Sequence, residues 1–120
     1  MNPALNYGYA LIRASLARAV VGAGLIPMIG IWHENRYNPF NLVDDLIEPL
    51  RPMVDHLVFL MQAQYDSLDP LTPEMKRELC TLLTRELLWG GSRFDLFVVL
   101  TYYTASFRAS LLESEKFQIP

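Results

Sequence analysis

The chain has 120 residues, a net charge of −3 at pH 7 and a single cysteine. This length suits one small domain with one hydrophobic core, so we expect a single domain over residues 1–120. The lone Cys80 excludes an intrachain disulfide and a cysteine-rich zinc site. The acidic balance argues against a surface coated with basic residues for nonspecific nucleic-acid binding. Any contact with DNA must therefore be local.

Hydrophobic residues make up 52% of the chain, which is a high share for so small a soluble protein and predicts apolar surface that meets a partner. The longest nearly apolar stretch, residues 19–32, is interrupted by three glycines and one proline. It is also shorter than the roughly 18 residues that indicate a membrane span. The N-terminus carries no secretory signal pattern. We therefore expect a cytoplasmic protein without membrane contact.

The first segment predicts a helix that Asn2 caps, with Pro3 in its first turn. Gly22 and Gly24 mark its end. Apolar residues recur along this segment with a helical period, at Leu5, Tyr9, Ile12, Leu16, Ala19 and Val20. Residues 25–41 then hold too many prolines, glycines and asparagines for a regular element. We interpret this stretch as the functional loop.

A second helix is predicted from Asn41, which can cap it. Pro49 and Pro52 each remove an amide donor, so the carbonyls of Asp45 and Glu48 lose their usual partners and the helix should bend there. Its apolar face consists of Leu42, Leu46, Leu50, Val54, Leu57, Val58 and Met61.

A third helix is predicted to begin after Thr72, with Pro73 in its first position, and to end at Gly90 and Gly91. Its inward positions are Leu79, Leu82, Leu83 and Leu87.

Ser92 and Asp95, three residues apart, resemble a capping box that opens a fourth helix. Residues 94–104 are also rich in aromatic and β-branched residues, so a strand remains an alternative there. The predicted fold is all-α, a small bundle of about four main helices.

Carboxylates cluster near the start of the second helix. Asp45 and Glu48 are three residues apart and would share one helical face, with Asp44 beside them. Oxygen ligands of this kind suit a hard divalent cation. The simpler alternative is that acidic residues stabilise the positive end of the helix dipole. Arg51 is spaced to hold either Glu48 or Asp55 by a charge-assisted bond.

A histidine and several arginines lie near these carboxylates in the sequence. His33 follows an apolar segment and enters the polar loop, where it is either a ligand or an ordinary loop residue. Arg13, Arg36 and Arg51 either form a small positive rim around an acidic site or are simply solvated. Aromatic residues near them, which suit either the core or contact with nucleotides, are Tyr7, Tyr37 and Phe40.

Four stretches together resemble the CRISPR-associated integrase family Cas-one (Cas1), in particular its members from type II systems. These are residues 4–11, which contain Asn-Tyr-Gly-Tyr, and residues 30–33, 38–42 and 44–52. The motifs follow one another in the family's order and spacing over at least residues 2–58, and residues 71–79 are also similar.

The resemblance implies an enzyme that joins the 3′ ends of short foreign DNA to a CRISPR repeat by direct transesterification. Family members work as dimers around a partner protein, Cas-two (Cas2). By the same resemblance, His33 and Glu48 match metal ligands and Asp45 matches a further acidic catalytic position. Mg²⁺ or Mn²⁺ fits this set of ligands. Arg13, Arg36 and Arg51 would then contact DNA phosphates.

The chain also departs from the family pattern. The family has a further metal-binding glutamate upstream of the Asn-Tyr-Gly-Tyr helix, and a β-rich N-terminal domain used for dimerisation. Neither lies within these 120 residues. We therefore expect a helical catalytic domain that lacks one ligand. The alternative is a noncatalytic remnant that binds DNA or another Cas1 subunit.

Overall fold

The computed structural model describes residues 2–25 and 41–112, and within these ranges it is a mainly helical assembly, as predicted. None of the described helices is both long and apolar enough to cross a membrane. The regular elements are α1 (Pro3–Gly22), α2 (Asn41–Leu46), α3 (Arg51–Gln64), α4 (Pro73–Cys80), β1 (Glu86–Trp89), β2 (Ser92–Asp95) and α5 (Leu96–Leu112). Short 3₁₀ turns lie at Glu48–Leu50 and Thr81–Thr84.

Helix α1 is the central element, because it contacts each of the other four α-helices of the described chain. The Asn2 side chain caps it as predicted, accepting hydrogen bonds from the amides of Ala4 at 2.9 Å and Leu5 at 3.3 Å. Its buried residues are Ala4, Gly8, Ile12, Leu16 and Val20. A Cβ atom on Gly8 would lie 2.6 Å from Cγ1 of Val54, so this glycine allows α1 and α3 to approach closely.

The predicted bend in the second helix is a complete break. Helix α2 ends at Leu46 and helix α3 begins at Arg51, with the 3₁₀ turn Glu48–Leu50 between them. The Leu50 amide donates to the carbonyl of Ile47 at 2.8 Å, and the Arg51 amide donates to the carbonyl of Glu48. These shorter bonds replace the i+4 bonds that the two prolines cannot form.

Tyr103 of α5 completes the end of α2. With the Leu50 amide bonded to Ile47, the carbonyl of Leu46 has lost its usual helical donor. The Tyr103 hydroxyl donates to this carbonyl at 2.8 Å, in a buried position. Burial also raises the pKa of Tyr103, which keeps the hydroxyl protonated as a donor. Helix α5 thereby fixes the point at which the chain turns toward Glu48.

We expect Tyr103→Phe to lower the free energy of unfolding by about 1–3 kcal/mol, because the buried Leu46 carbonyl loses its donor. The measurement is equilibrium urea denaturation. The matched control is Tyr102→Phe, the same chemical change at a neighbouring side chain that is 40% exposed. Equal effects of the two substitutions would contradict this role for Tyr103.

The predicted third helix is correct at its start and wrong at its end. Thr72 caps α4, accepting from the Met75 amide at 3.2 Å, but the helix ends at Cys80 and a 3₁₀ turn follows. Leu87 lies in β1, which pairs antiparallel with β2. The connecting Gly90 and Gly91 have φ values of 59° and 84°, which suit a tight hairpin turn better than the end of a helix.

The predicted start of the fourth helix is also wrong. Ser92 begins β2, and α5 starts only at Leu96. Asp95 is the capping residue, since its Oδ1 accepts from the Val98 amide at 3.0 Å. The strand alternative for residues 94–104 applies only to the first two of them, because the rest are helical.

Candidate functional site

A groove of about 360 Å³ lies where α1 meets the connection between α2 and α3. Two of the three arginines predicted to contact DNA, Arg13 and Arg51, line it together with Asp44. We call it the arginine groove, and its full lining is Asn6, Tyr9, Ala10, Arg13, Asp44, Ile47 and Arg51. The fold therefore brings together residues that are up to 45 positions apart in the sequence.

Arg13 forms a two-point ion pair with Asp44 across the groove. Its Nε lies 2.9 Å from Oδ1 of Asp44, and its Nη2 donates to Oδ2 at 3.2 Å. The side chains keep 41% and 21% of their surface exposed, so the pair is partly shielded from solvent. One hydrogen bond and one close charge contact hold the guanidinium against the carboxylate. Arg13 therefore has a defined orientation while part of it still faces solvent.

Arg51 pairs with Glu48, which resolves the choice that its spacing left between Glu48 and Asp55. Its Nε donates to Oε1 of Glu48 at 3.2 Å, and the two side chains are 40% and 52% exposed. The guanidinium carbon also lies 4.9 Å from the centre of the Tyr9 ring. Arg51 thus contacts both a carboxylate and an aromatic ring.

Tyr9 joins α1 to α3 through its hydroxyl, which donates to Oδ1 of Asp55. This hydrogen bond is the largest cause of the raised pKa of Tyr9, followed by burial, while Arg51 acts in the opposite direction. The sequence pattern indicated only that Tyr9 lies on the apolar face of α1. The spacing of Arg51 and Asp55 was the available signal. They are four residues apart on one helix, so both can face the same residue of a neighbouring helix.

The structure separates the two predicted catalytic carboxylates. Asp45 is only 1% exposed, whereas Glu48 is an exposed residue whose side chain is 52% accessible. The expectation that they share one helical face is wrong, because α2 ends at Leu46 and Glu48 begins the 3₁₀ turn. Glu48 can meet a ligand from solvent in this arrangement.

Two predicted site residues, His33 and Arg36, lie outside the described residues, as do Tyr37 and Phe40. Within residues 2–25 and 41–112, no three His, Cys, Asp or Glu side chains are grouped closely enough to hold a metal ion. Of the two metal ligands predicted from the sequence, Glu48 lies among the described residues and His33 does not. Asp45, the further catalytic residue predicted, is buried.

Among the described residues, three carboxylates contact the two groove arginines or their aromatic neighbour Tyr9. Arg13 and Arg51 contact Asp44 and Glu48, and Asp55 accepts the hydrogen bond of Tyr9 next to Arg51. Two cations therefore face three carboxylates. A phosphate approaching this surface meets arginines that are already paired, and an added divalent cation would shift the balance in favour of the phosphate.

Comparison with known proteins supports the family resemblance that the sequence motifs indicate. The family model "CRISPR associated protein Cas1" matches residues 1–70, which include α1, the carboxylates and both groove arginines. A CRISPR-associated endonuclease Cas1 from Neisseria meningitidis is 35% identical over 119 residues, covering 99% of this chain and 39% of that protein. One from Pyrobaculum aerophilum is 37% identical over 95 residues, covering 79% of this chain and 30% of that protein.

A solved structure of a casposase bound to its integration product has the same fold over 97% of this chain and 36% of that chain, with a TM-score of 0.79 and 24% identity. The relatives that match in sequence define the class as CRISPR-associated endonucleases. The chain belongs to the Cas1 family, which confirms the resemblance found in its motifs. It spans 39% of the Neisseria relative's length.

Proposed function

We propose that this chain is the helical catalytic part of a metal-dependent DNA integrase that inserts short foreign DNA into a CRISPR array by transesterification. The observation that carries the proposal is the exposed Glu48, paired with the groove arginine Arg51 within the region that matches the family. An exposed carboxylate next to oriented cations is suited to the reacting phosphate of a DNA strand.

The donor set fits a hard divalent cation. Glu48 offers carboxylate oxygens and His33 an imidazole nitrogen, which together suit Mg²⁺ or Mn²⁺. The ion pair of Glu48 with Arg51 is exposed and worth under about 1 kcal/mol, so it is easily exchanged for a stronger ligand. When bound, such a cation would polarise the phosphoryl group and stabilise charge on the attacking and leaving oxygens. Buried Asp45 would hold the turn that carries Glu48.

A working site needs more than the two ligands of this chain. We assign the third ligand to a segment outside these 120 residues, because the relatives are longer than the stretch they share with this chain. Dimerisation through an N-terminal β-domain and assembly with Cas2 belong to the same proposal. So does a cytoplasmic location.

The DNA contacts are assigned to Arg13, Arg36 and Arg51. Arg13 and Arg51 lie in one groove and would each neutralise a phosphate of the strand that passes Glu48. Asp44 keeps Arg13 oriented, and a divalent cation on Glu48 would free Arg51 for the phosphate.

Each groove arginine should contribute to the salt dependence of DNA binding. We expect Arg13→Ala and Arg51→Ala each to reduce the slope of log K against log salt by about one, since each removes one phosphate contact. The measurement is fluorescence anisotropy with a short labelled duplex in the presence of Mn²⁺. The control is Arg77→Ala, at an exposed arginine of α4 away from the groove lining. Unchanged slopes for both groove variants would reject these contacts.

Strand joining on branched repeat DNA with Mn²⁺ tests the catalytic proposal. We compare the chain with and without the family's upstream segment, and with His33→Ala and Glu48→Ala in each form. Joining that requires both side chains supports the proposal, and joining only in the longer form supports the external ligand. Glu74→Ala, at an exposed carboxylate in the first turn of α4, is the control and should retain full activity.

A noncatalytic role in binding DNA is the second candidate. It applies if no segment outside these 120 residues supplies the third ligand. In that case both forms of the chain would bind DNA and neither would join strands. This outcome of the same assay would overturn the catalytic proposal.

A further inference from the structure

We propose that Tyr9 is a positioning residue that holds the guanidinium of Arg51 at the arginine groove, with its ring as the platform and Asp55 as the anchor. This inference rests on the proposed contact between Arg51 and a DNA phosphate. It gives Tyr9, an uncharged residue of the groove lining, a role beside the two arginines.

The ring of Tyr9 contacts the cationic side chain of Arg51. The Arg51 guanidinium carbon lies 4.9 Å from the ring centre of Tyr9, within the range in which an aromatic face attracts a cation. Both residues line the arginine groove. A guanidinium has five N–H donors, so Arg51 can lie over the ring and still offer donors to a phosphate.

Asp55 anchors the ring of Tyr9. The Tyr9 hydroxyl donates to Asp55, which lies one helical turn after Arg51 on α3. The same bond raises the pKa of Tyr9, so the hydroxyl remains a donor across the neutral pH range. Tyr9 therefore contacts α3 twice, once through its ring and once through its hydroxyl. These two contacts restrict the ring to one orientation.

The contact of Arg51 with Glu48 is too weak to position the guanidinium. The pair with Glu48 is a single N–H to oxygen contact at 3.2 Å between side chains that are 40% and 52% exposed. Exposed pairs of this kind are screened by salt and hold long side chains poorly. Glu48 is also the proposed metal ligand, so this contact would be given up when a cation binds. The Tyr9 ring would remain as the support of Arg51.

The direct test is the order of the Arg51 side chain by NMR, which needs no DNA and no metal. We expect the Arg51 Nε–H signal to show a ring-current shift and a high ¹⁵N heteronuclear NOE. Both should fall in Tyr9→Leu to the values of an exposed arginine such as Arg93, with Tyr9→Phe in between. An Arg51 signal that is unchanged in Tyr9→Leu would overturn the proposal.

Tyr7→Leu is the matched control, because it removes another ring from α1 that faces a cation. The Nζ atom of Lys76 lies 5.8 Å from the Tyr7 ring, and neither residue lines the arginine groove. We expect Tyr7→Leu to leave the Arg51 signal unchanged. A loss of Arg51 order in Tyr7→Leu equal to that in Tyr9→Leu would mean a general loosening of α1 and would also overturn the proposal.

The functional readout separates this inference from the function on which it rests. In DNA binding, Tyr9→Leu should lower the salt slope by about one, as Arg51→Ala does, and the double variant should lower it no further. Tyr9→Phe, which keeps the ring, should retain most of the slope. If Arg51→Ala lowers the slope and Tyr9→Leu does not, the positioning role fails. If Arg51→Ala has no effect, the proposed DNA contact fails, and the NMR comparison still decides the role of Tyr9.

Discussion

The missing amide hydrogens of Pro49 and Pro52 are the constraint on which the site depends. Because of them, the helix that begins at Asn41 cannot continue beyond Leu46, and the chain makes a 3₁₀ turn before α3 starts. The turn places Glu48 at the surface, while Asp45 remains buried behind it. A continuous helix would have placed both carboxylates on one face. The break therefore gives two acidic residues that are close in sequence different environments.

The charges of the groove link the proposed binding of a divalent cation to the proposed binding of DNA. Arg13 is oriented by Asp44 and Arg51 by the ring of Tyr9, so less of their freedom remains to be lost when they bind a phosphate. The carboxylates beside them oppose an incoming strand as long as no metal is bound. A cation bound to Glu48 would locally replace the repulsion of the DNA strand by attraction. Affinity for DNA and affinity for the metal should therefore rise together in this protein.

Local signals in the sequence were sufficient for part of this picture. Asn2 and Thr72 mark helix starts through their own side chains, so both caps could be predicted. The hairpin was missed because Leu87 fits a helical period as well as a strand, and the turn at Gly90 and Gly91 was interpreted as a helix end. The bond of Tyr103 to Leu46 joins residues 57 positions apart. No local pattern reveals such a contact, and it helps to fix the turn that exposes Glu48.

If Glu48 binds the metal from the surface of this turn, its substitution should weaken Mn²⁺ binding, which electron paramagnetic resonance measures. We expect Glu48→Gln to weaken Mn²⁺ binding by about tenfold or more, since it removes a ligand rather than a supporting group. Asp44→Asn, which removes an acid of the same groove, should leave binding close to wild type. Unchanged Mn²⁺ affinity in Glu48→Gln would contradict the account.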